Sequence, residues 1–356
     1  MRSSRRVTLL DVAAQAGVSR ATASLVVRES PLVSADTRRA VLAAMKRLGY
    51  VYNRSAATLR SSTTRMVGLI VPDITNPYFS ELVVSMERVL NEKGYTVYLA
   101  NTGEDRARQR RILSHFSEYN VDGVLLCPAR GTAPADLASL ASRGPPCVLV
   151  ARYLRDARLD YVGPDNRLGG RLAADHLLAC GHRKIAFIGG SPSSSARRDR
   201  LAGYRAALRA AGVTVRPELS AVGEVTREAG RLCVRELLRL RSAPTAAVCY
   251  NDIVAIGVMH GLAESGIFPG TAFGVVGFDN IEDAALWVPS LSTVASPSNA
   301  IADAAAEMLL RRVAAPRSSR RFVELRTTLI VRDSSCPGAG GGRATAATEK
   351  ANGPAR

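Results

Sequence analysis

The residue types that carry most enzyme chemistry are present in this sequence, but they are scattered. The four histidines lie far apart, and the glycines form neither a G-x-G-x-x-G nor a G-x-x-x-x-G-K-[ST] phosphate-binding loop. No G-x-S-x-G nucleophile elbow is found either. The six cysteines form no C-x-x-C pair and none is taken to join a histidine at metal-ligand spacing, so we interpret them as reduced core thiols that hold no metal. This pattern argues against an enzyme and against a bound cofactor.

The positive charge is concentrated at the two ends of the chain. The formal net charge is +17, of which +9 falls in residues 1–65, +1 in residues 66–310 and +7 in residues 311–356. A basic head on a near-neutral body is typical of a protein whose head alone meets a polyanion such as DNA. Arginine outnumbers lysine 44 to 4, so GC-rich codon usage is an alternative explanation for part of the excess.

No segment predicts secretion or membrane insertion. The opening MRSSRR resembles the basic start of a signal peptide, but the following TLLDVAAQAG carries polar side chains where an apolar stretch is needed. No other segment approaches the roughly 18 consecutive apolar residues of a membrane helix. We therefore expect a cytoplasmic protein.

Three short helices are predicted in the first fifty residues. Capping side chains at Thr8, Ser19 and Ser34 start helices that we expect at 9–16, 20–28 and 35–48. The first two are separated by a tight turn that contains Gly17. Two helices joined in this way describe a helix-turn-helix, whose second helix can enter the major groove of DNA.

From Arg65 onward, short apolar runs alternate with stretches of helical periodicity. This alternation predicts a doubly wound α/β arrangement, and its length of about 270 residues favours two similar subdomains with a cleft between them. The predicted strands are 66–71, 97–100, 123–127, 148–151, 185–189, 246–250 and 274–278. The predicted helices are 77–93, 106–119, 167–179, 200–211, 228–240 and 254–265. Beyond Arg332 the chain is rich in Gly, Ala and Pro without apolar periodicity, which predicts a disordered tail.

Ten segments follow one another along the chain: TLLDVAAQAGVSRATAS, VSADTRRAVLAAMKRLGY, NRSAATL, VGLIVPDITNPYFSEL, VGPDNRLGG, GHRKIAFIGG, RLAGYR, YNDIVAIG, GFDN and PSLSTV. Their content, order and spacing closely resemble the lactose and galactose repressor family of bacterial transcription regulators. The resemblance covers about residues 7–332. It implies a small all-α helix-turn-helix DNA-binding domain plus an α/β core of two doubly wound subdomains, like the type I periplasmic binding proteins. The implied boundaries are 1–52 for the head, 53–65 for a hinge helix or linker, 66–332 for the effector-binding and dimerisation domain and 333–356 for the tail.

The resemblance assigns DNA contacts to the head. In this family the start of the second helix contacts base edges, which here implies readout by Arg20, Ala21 and Leu25. Arg20 suits bidentate hydrogen bonding to guanine, whereas Leu25 departs from the arginine that many members carry and suits a thymine methyl group. The implied phosphate contacts, which set register rather than sequence, are Thr22, Ser24, Ser34, Thr37 and Arg38. For Ser34, helix capping is an equally good explanation.

Residues 54–60 resemble the hinge helix of the family, a segment too short to be helical alone. It needs DNA and a partner chain, and Leu59 matches the leucine that wedges between base steps in the minor groove. The implied minor-groove set is Asn53, Ala56, Leu59 and Arg60. Ala57 and Tyr52 depart from the arginine and proline that are usual in the family, which leaves the strength of the hinge open but not its existence.

The core resembles periplasmic sugar-binding proteins, and the resemblance implies a ligand cleft. The implied ligand-binding set is Tyr78, Phe79, Arg200, Asn251 and Asp279. Aromatic rings beside a carboxylate, a guanidinium and an amide suit a polyol or sugar. Two alternatives stay open: the rings can belong to the core, and Asp279 can cap the segment that follows it. Val225 stands where several members place a stacking aromatic residue, and Trp287 fits the dimer interface or the cleft equally well.

The sequence therefore predicts a homodimeric, cytoplasmic, sequence-specific repressor that binds a near-palindromic operator and responds to a small ligand, with a sugar or sugar derivative expected. One alternative is a regulator that has lost its effector response and represses constitutively. Another is a secreted solute-binding protein, which would need a signal peptide and no basic head. No leucine heptad follows Arg332, so we expect no tetramerising tail.

Overall fold

The structure is a computed structural model that describes residues 7–28, 30–51, 63–137, 140 and 144–336. The chain forms two compact units, Met1–Thr64 and Arg65–Arg356. Within the described ranges, no helix has both the length and the apolar character that crossing a membrane requires.

The first unit is a head of three helices, α1 (Leu9–Gln15), α2 (Arg20–Val27) and α3 (Ala35–Leu48). Each helix begins at its predicted cap, because the side-chain oxygens of Thr8, Ser19 and Ser34 accept a backbone N–H from the first turn. The buried side chains that hold the three helices together are small: Val12, Ala13, Ala23, Val26, Val41 and Ala44. Such side chains let the helices approach closely in a unit too small for a large core.

The second unit contains twelve strands and eight α-helices among its described residues. In chain order the strands are β1 (Met66–Val71), β2 (Thr96–Asn101), β3 (Gly123–Leu126), β4 (Cys147–Val150), β5 (Asp160–Pro164), β6 (Ile185–Ile188), β7 (Ser220–Ala221), β8 (Ala246–Cys249), β9 (Gly274–Asp279), β10 (Ser292–Ala295), β11 (Phe322–Leu325) and β12 (Thr328–Ile330). The helices are α4 (Pro77–Glu92), α5 (Arg106–Glu118), α6 (Asn166–Ala179), α7 (Ser195–Ala210), α8 (Arg227–Leu238), α9 (Asp252–Glu264), α10 (Glu282–Leu286) and α11 (Ser298–Ala314).

These elements build two subdomains, each around one six-stranded sheet. The first sheet has the order β11-β5-β4-β3-β1-β2, and all its strands are parallel. The second has the order β12-β10-β9-β8-β6-β7, in which only β12 runs antiparallel to its neighbour. Central strands such as β3 and β6 are buried along their whole length, as expected for parallel strands covered on both faces.

The chain crosses between the subdomains three times, at residues 164–166, 295–298 and 325–328. Two of these crossings are hydrogen bonded to each other. The backbone N–H of Asp165 donates to the carbonyl of Leu325 at 2.8 Å, and the hydroxyl of Thr327 donates to the carbonyl of Asp165 at 3.2 Å. The first and third crossings therefore form one connected strip.

The predicted α/β alternation is confirmed. All seven predicted strands and six predicted core helices are present with ends shifted by a few residues, and α7 begins five residues earlier than predicted. The strands β5, β7, β10, β11 and β12 and the helices α10 and α11 are additional to the prediction.

Two predictions about the C-terminal end are wrong. Residues 333–336, assigned to a disordered tail, are packed against the second subdomain, where Ser334 and Ser335 are fully buried. Their hydroxyls are satisfied by hydrogen bonds within the protein, so polar composition does not imply disorder here. Cys180 and Cys336 form a disulfide rather than two reduced core thiols. Residues 337–356 lie outside the described part of the chain.

Candidate DNA-binding head and ligand cleft

Helix α2 presents the predicted base-reading residues at its start. Arg20 and Ala21 are exposed, and Leu25 is half-buried. Ala23 and Val26 on the opposite face are buried in the core of the head. The first turn of α2 is therefore positioned on a fixed scaffold with its outer face open to solvent, as a recognition helix requires.

The predicted phosphate-contacting residues take part in local hydrogen bonds. The Thr22 backbone N–H donates to Ser19 Oγ at 3.0 Å, and the Thr37 N–H donates to Ser34 Oγ at 3.3 Å. Ser34 thus caps α3, which was the alternative explanation for it. Arg38 donates to the Ser30 carbonyl and fixes the loop between α2 and α3.

Ser24 Oγ accepts a hydrogen bond from Arg28 at 3.0 Å, so this hydroxyl is also held in place. The predicted hinge residues Asn53, Ala56, Leu59 and Arg60 lie outside the described residues. The DNA-contacting roles of the head residues stay predictions.

A cavity of about 230 Å³ lies between the two subdomains of the second unit. Its walls are formed at the carboxyl ends of the parallel strands, which is where open α/β sheets place their ligands. The structure brings all five predicted ligand residues to this cavity: Tyr78, Phe79, Arg200, Asn251 and Asp279. Val225 lines it too. Trp287 is absent from the described lining and is partly exposed beside Leu286 and Val288, so only its interface assignment remains open.

Arg200 is the central polar group of the cleft. It extends from α7, and its guanidinium donates to Asn166 Oδ1 at 2.8 Å and to the Tyr250 carbonyl. Its Nη2 lies 3.5 Å from Asp279 Oδ1, and its guanidinium carbon lies 3.5 Å from the centre of the Phe278 ring. These contacts hold the cation in one orientation before any ligand arrives.

Asp279 sits at the end of β9 with a left-handed backbone, φ 108°. Burial raises the pKa of its carboxyl to about 6, while Arg200 and a hydrogen bond from Asn251 oppose that rise. In the segment that follows, the Ile281 N–H donates to Asp252 at 3.0 Å, and α10 has no side-chain cap. Asp279 is therefore directed to the cleft rather than to a helix cap.

Tyr78 and Phe79 begin α4, where the Asn76 side chain accepts the Tyr78 N–H at 3.2 Å. Their rings meet edge to face, with centroids 5.1 Å apart. The Tyr78 hydroxyl accepts from Ser296 at 3.4 Å, and burial raises its pKa well above the usual value. The two rings belong both to the core and to the wall of the cleft, so the two explanations given for them are compatible.

Sequence reasoning missed five charged residues of the cleft: Asp73, Glu104, Arg130, Arg152 and Glu224. Arg152 follows β4 and is buried, with Nη1 2.9 Å from Glu104 Oε1 and 3.2 Å from the Pro128 carbonyl. Arg130 follows β3, and its Nη1 lies 2.6 Å from Glu224 Oε2 of the opposite subdomain. The signal that would have found Arg152 and Arg130 is their position in the loops that follow buried strands, two residues after β4 and four after β3.

Comparison with known proteins identifies both units. Residues 8–53 match the family described as bacterial regulatory proteins, lacI family, and residues 64–332 match the periplasmic binding proteins and sugar binding domain of LacI family. The protein belongs to the LacI family. Among its relatives, the transcriptional repressor PurR of Haemophilus influenzae is 33% identical over 86% of this chain and 91% of its own. PurR of Photobacterium profundum is 31% identical over 92% of this chain and 98% of its own.

Solved structures of the LacI family agree with this assignment. The lac repressor dimer bound to operator and the anti-inducer ONPF has a TM-score of 0.84 at 26% identity, covering 93% of this chain and 100% of its own. The regulator CelR in complex with cellobiose has a TM-score of 0.71 at 32% identity over the same shares. This LacI-family chain is a DNA-binding transcriptional regulator with a ligand-binding core.

Proposed function

We propose that the protein is a cytoplasmic repressor whose affinity for operator DNA is set by a neutral sugar or polyol bound between its two subdomains. The observation that carries the proposal is the convergence of a guanidinium, a carboxylate, an amide and two aromatic rings on one cavity. Hydrogen-bond donors and acceptors match the hydroxyl groups of a sugar, and the apolar rings beside them match its C–H faces. The similar regulator solved with cellobiose supports this ligand class.

The charges of the cleft favour an uncharged ligand. Each of the three arginines that line the cavity already has a carboxylate partner: Arg130 with Glu224, Arg152 with Glu104, and Arg200 with Asp279. A phosphorylated ligand would have to compete with these partners for a guanidinium, whereas hydroxyl groups can hydrogen bond to the paired groups without separating them.

The ligand alters DNA binding by changing the angle between the two subdomains. Tyr78, Phe79, Arg130 and Arg152 belong to the first subdomain, and Arg200, Asn251 and Asp279 to the second, so a bound sugar contacts both walls. Coupling between two such sites is typically worth about 1–3 kcal/mol, and operator DNA changes ligand affinity by the same factor.

The protein binds its operator as a homodimer. Exposed apolar residues lie on the outermost strand of the first sheet, at Tyr98 and Leu99 of β2, and directly after the outermost strand of the second, at Val222. A further group lies at Leu286, Trp287 and Val288, of which Val288 is 90% exposed. A second copy of the chain would remove these surfaces from water, and a two-fold dimer matches a palindromic DNA site.

The first test is selection of bound sequences from a random DNA pool with the full-length protein at near-physiological salt, because a basic head binds any DNA when salt is low. Enrichment of a palindrome is expected. If no motif is enriched, the selection is repeated with cellobiose, ribose and glucose added. If a motif is enriched only when a sugar is present, the sugar acts as a corepressor. If no motif is enriched under any condition, the proposal that the protein recognises a specific DNA sequence is contradicted.

The second test measures sugar binding by isothermal titration calorimetry with wild type and with Asp279→Ala. Binding of a neutral sugar that Asp279→Ala abolishes is expected. Preference for a phosphorylated sugar over its neutral parent would contradict the neutral-ligand proposal. DNA binding that no ligand alters would assign constitutive repression instead.

A further inference from the structure

A cluster of soft metal ligands lies at the far end of the second subdomain from the cleft. His176 is in the last turn of α6, Cys180 caps that helix, and Cys336 follows the buried pair Ser334 and Ser335. The cluster is at the amino ends of β9 and β10, whereas the ligand cleft is at the carboxyl ends of the strands. Its residues therefore serve no part of the proposed sugar site.

The three ligand atoms lie close enough together to share one metal ion once the disulfide is reduced. His176 Nε2 lies 3.7 Å from Cys180 Sγ, and the ligand atoms of His176, Cys180 and Cys336 all lie within 4.8 Å of one another. Zinc bonds to nitrogen at about 2.0–2.1 Å and to sulfur at about 2.3 Å, so two ligand atoms of a tetrahedral zinc are about 3.6 Å apart. The histidine and the first cysteine already have this separation, because residues four apart share a helix face.

The segment that carries Cys336 is held in place by hydrogen bonds of its own. The Val275 N–H donates to the Ser334 carbonyl at 2.7 Å, and the Ser334 hydroxyl donates to the Val275 carbonyl at 2.7 Å. Ser335 Oγ lies 2.7 Å from both Ser292 Oγ and His176 Nε2. Cys336 is thus presented to the end of α6 even without a covalent bond, and Ser335 keeps Ser292 as a partner when His176 binds a metal.

We propose that the reduced protein binds one zinc ion, or a similarly soft divalent metal, through His176, Cys180 and Cys336. The structure holds the two cysteines as a disulfide. A dithiol reductant supplies two electrons and two protons, which convert the disulfide to two thiols, and is itself oxidised to a disulfide. The metal then binds both sulfurs as thiolates, and the two thiol protons pass to solvent. A water molecule completes the tetrahedral ligand set.

The inference rests on the proposed function in one respect only. A DNA-binding regulator works in the cytoplasm, where disulfides are rare and converging cysteines more often hold metal. In the reduced protein the metal would then link Cys180, at the end of α6, to Cys336, as the disulfide does in the oxidised protein. Cys180 and Cys336 are 156 residues apart, so either bond closes a loop that contains most of the second subdomain.

The test uses the full-length protein, stripped with a chelator and reduced with a phosphine, and Co²⁺ as a visible probe. We expect thiolate-to-cobalt absorption that saturates at one ion per chain and disappears when Zn²⁺ is added. Cys336→Ser should lose most of the thiolate-to-cobalt absorption. His176→Ala should weaken cobalt binding by at least about tenfold yet still form the disulfide when oxidised, which separates metal binding from cysteine pairing.

Cys233→Ser is the matched control, because its half-buried thiol lies in the same subdomain outside the cluster. Zn²⁺ should raise the melting temperature of the reduced wild type and of this control, but not that of Cys336→Ser. Circular dichroism checks that each variant is folded. The readouts need neither DNA nor sugar, so they stand whether or not the proposed function holds.

The proposal is overturned if the reduced wild type binds no cobalt while thiol titration shows that its cysteines pair in air, which would leave a structural disulfide alone. It is equally overturned if Cys233→Ser loses cobalt to the same extent as Cys336→Ser. A stoichiometry that varies with the preparation would indicate an adventitious ion only.

Discussion

Replacing Arg200 by methionine should make the stability of the protein depend on pH. Arg200 is the cation beside Asp279, and both side chains are almost entirely buried, at 6% and 4% exposure. Burial raises the pKa of Asp279 to about 6, and the guanidinium limits that rise. Without Arg200 the pKa of this carboxyl in the folded protein should rise further.

The size of the effect follows from the contacts of Arg200. Removing one partner of a buried ion pair typically costs about 3–5 kcal/mol. Part of that loss is independent of pH, because Arg200 also donates to Asn166 and to the Tyr250 carbonyl. The rest depends on the charge of Asp279.

The sign of the pH dependence is set by the raised pKa. An acid whose pKa is higher in the folded than in the unfolded chain contributes stability below its unfolded pKa, near about 4 for aspartate. That contribution is lost as the pH rises through the folded pKa, which in the wild type is about 6. The stability deficit of Arg200→Met relative to wild type should therefore be smaller at about pH 5 than at about pH 8.

The assay is urea unfolding at both pH values, followed by circular dichroism and by the fluorescence of Trp287, the single tryptophan. The double variant Arg200→Met with Asp279→Asn should remove the pH-dependent part of the deficit. Arg227→Met is the matched control: its pair with Asp283 is about half exposed, so a change of at most about 1 kcal/mol is expected. An equal deficit at both pH values, or a double variant with unchanged pH dependence, would refute the reasoning.

Three further outcomes are expected. Arg20→Ala should relax the preference at one base pair of the selected operator by about 1–3 kcal/mol, and an unchanged preference would remove Arg20 from the readout set. Leu59→Ala should weaken specific operator binding in gel-shift titrations while sparing non-specific binding, and equal losses would refute the hinge assignment. Gly170→Ala should lower the melting temperature, because its Cβ would lie 2.0 Å from the Arg200 carbonyl oxygen, whereas the Cβ of Gly223→Ala would meet only side chains, at 3.3 Å from Cys233 Sγ and 3.9 Å from Ala229, and should lower it less.

The strands β5 and β7 were not predicted from the sequence, and the physical reason is the same for both. Strand β5 has the sequence DYVGP, whose glycine and proline predict a turn, yet all five residues are buried between β4 and β11. Strand β7 is only two residues long. Both are stabilised by neighbours that are remote in the chain, and propensity over a short window carries no information about such neighbours.

For a similar reason, the sequence predicted the ligand-binding residues but not the partners that hold them in place. The resemblance supplied Arg200, Asn251 and Asp279 as positions, whereas the partners that hold Arg200 in place come from other elements and appear only in the folded chain. The pairing of Cys180 with Cys336 spans 156 residues. The expectation that no cysteine joins a histidine at metal-ligand spacing is wrong, because His176 and Cys180 are four residues apart on one helix face.

The three chain crossings between the subdomains have a mechanical consequence. Because Asp165 and Leu325 are hydrogen bonded, the first and third crossings form a single strip, and residues 295–298 are the remaining connection. Because only these short crossings join the two subdomains, we expect a rotation about them to cost less than sliding one sheet past the other. A ligand needs only to bias that single angle. The amino end of β1 lies at the end of the first sheet away from the cleft, so such a rotation would displace the point where the chain enters this subdomain.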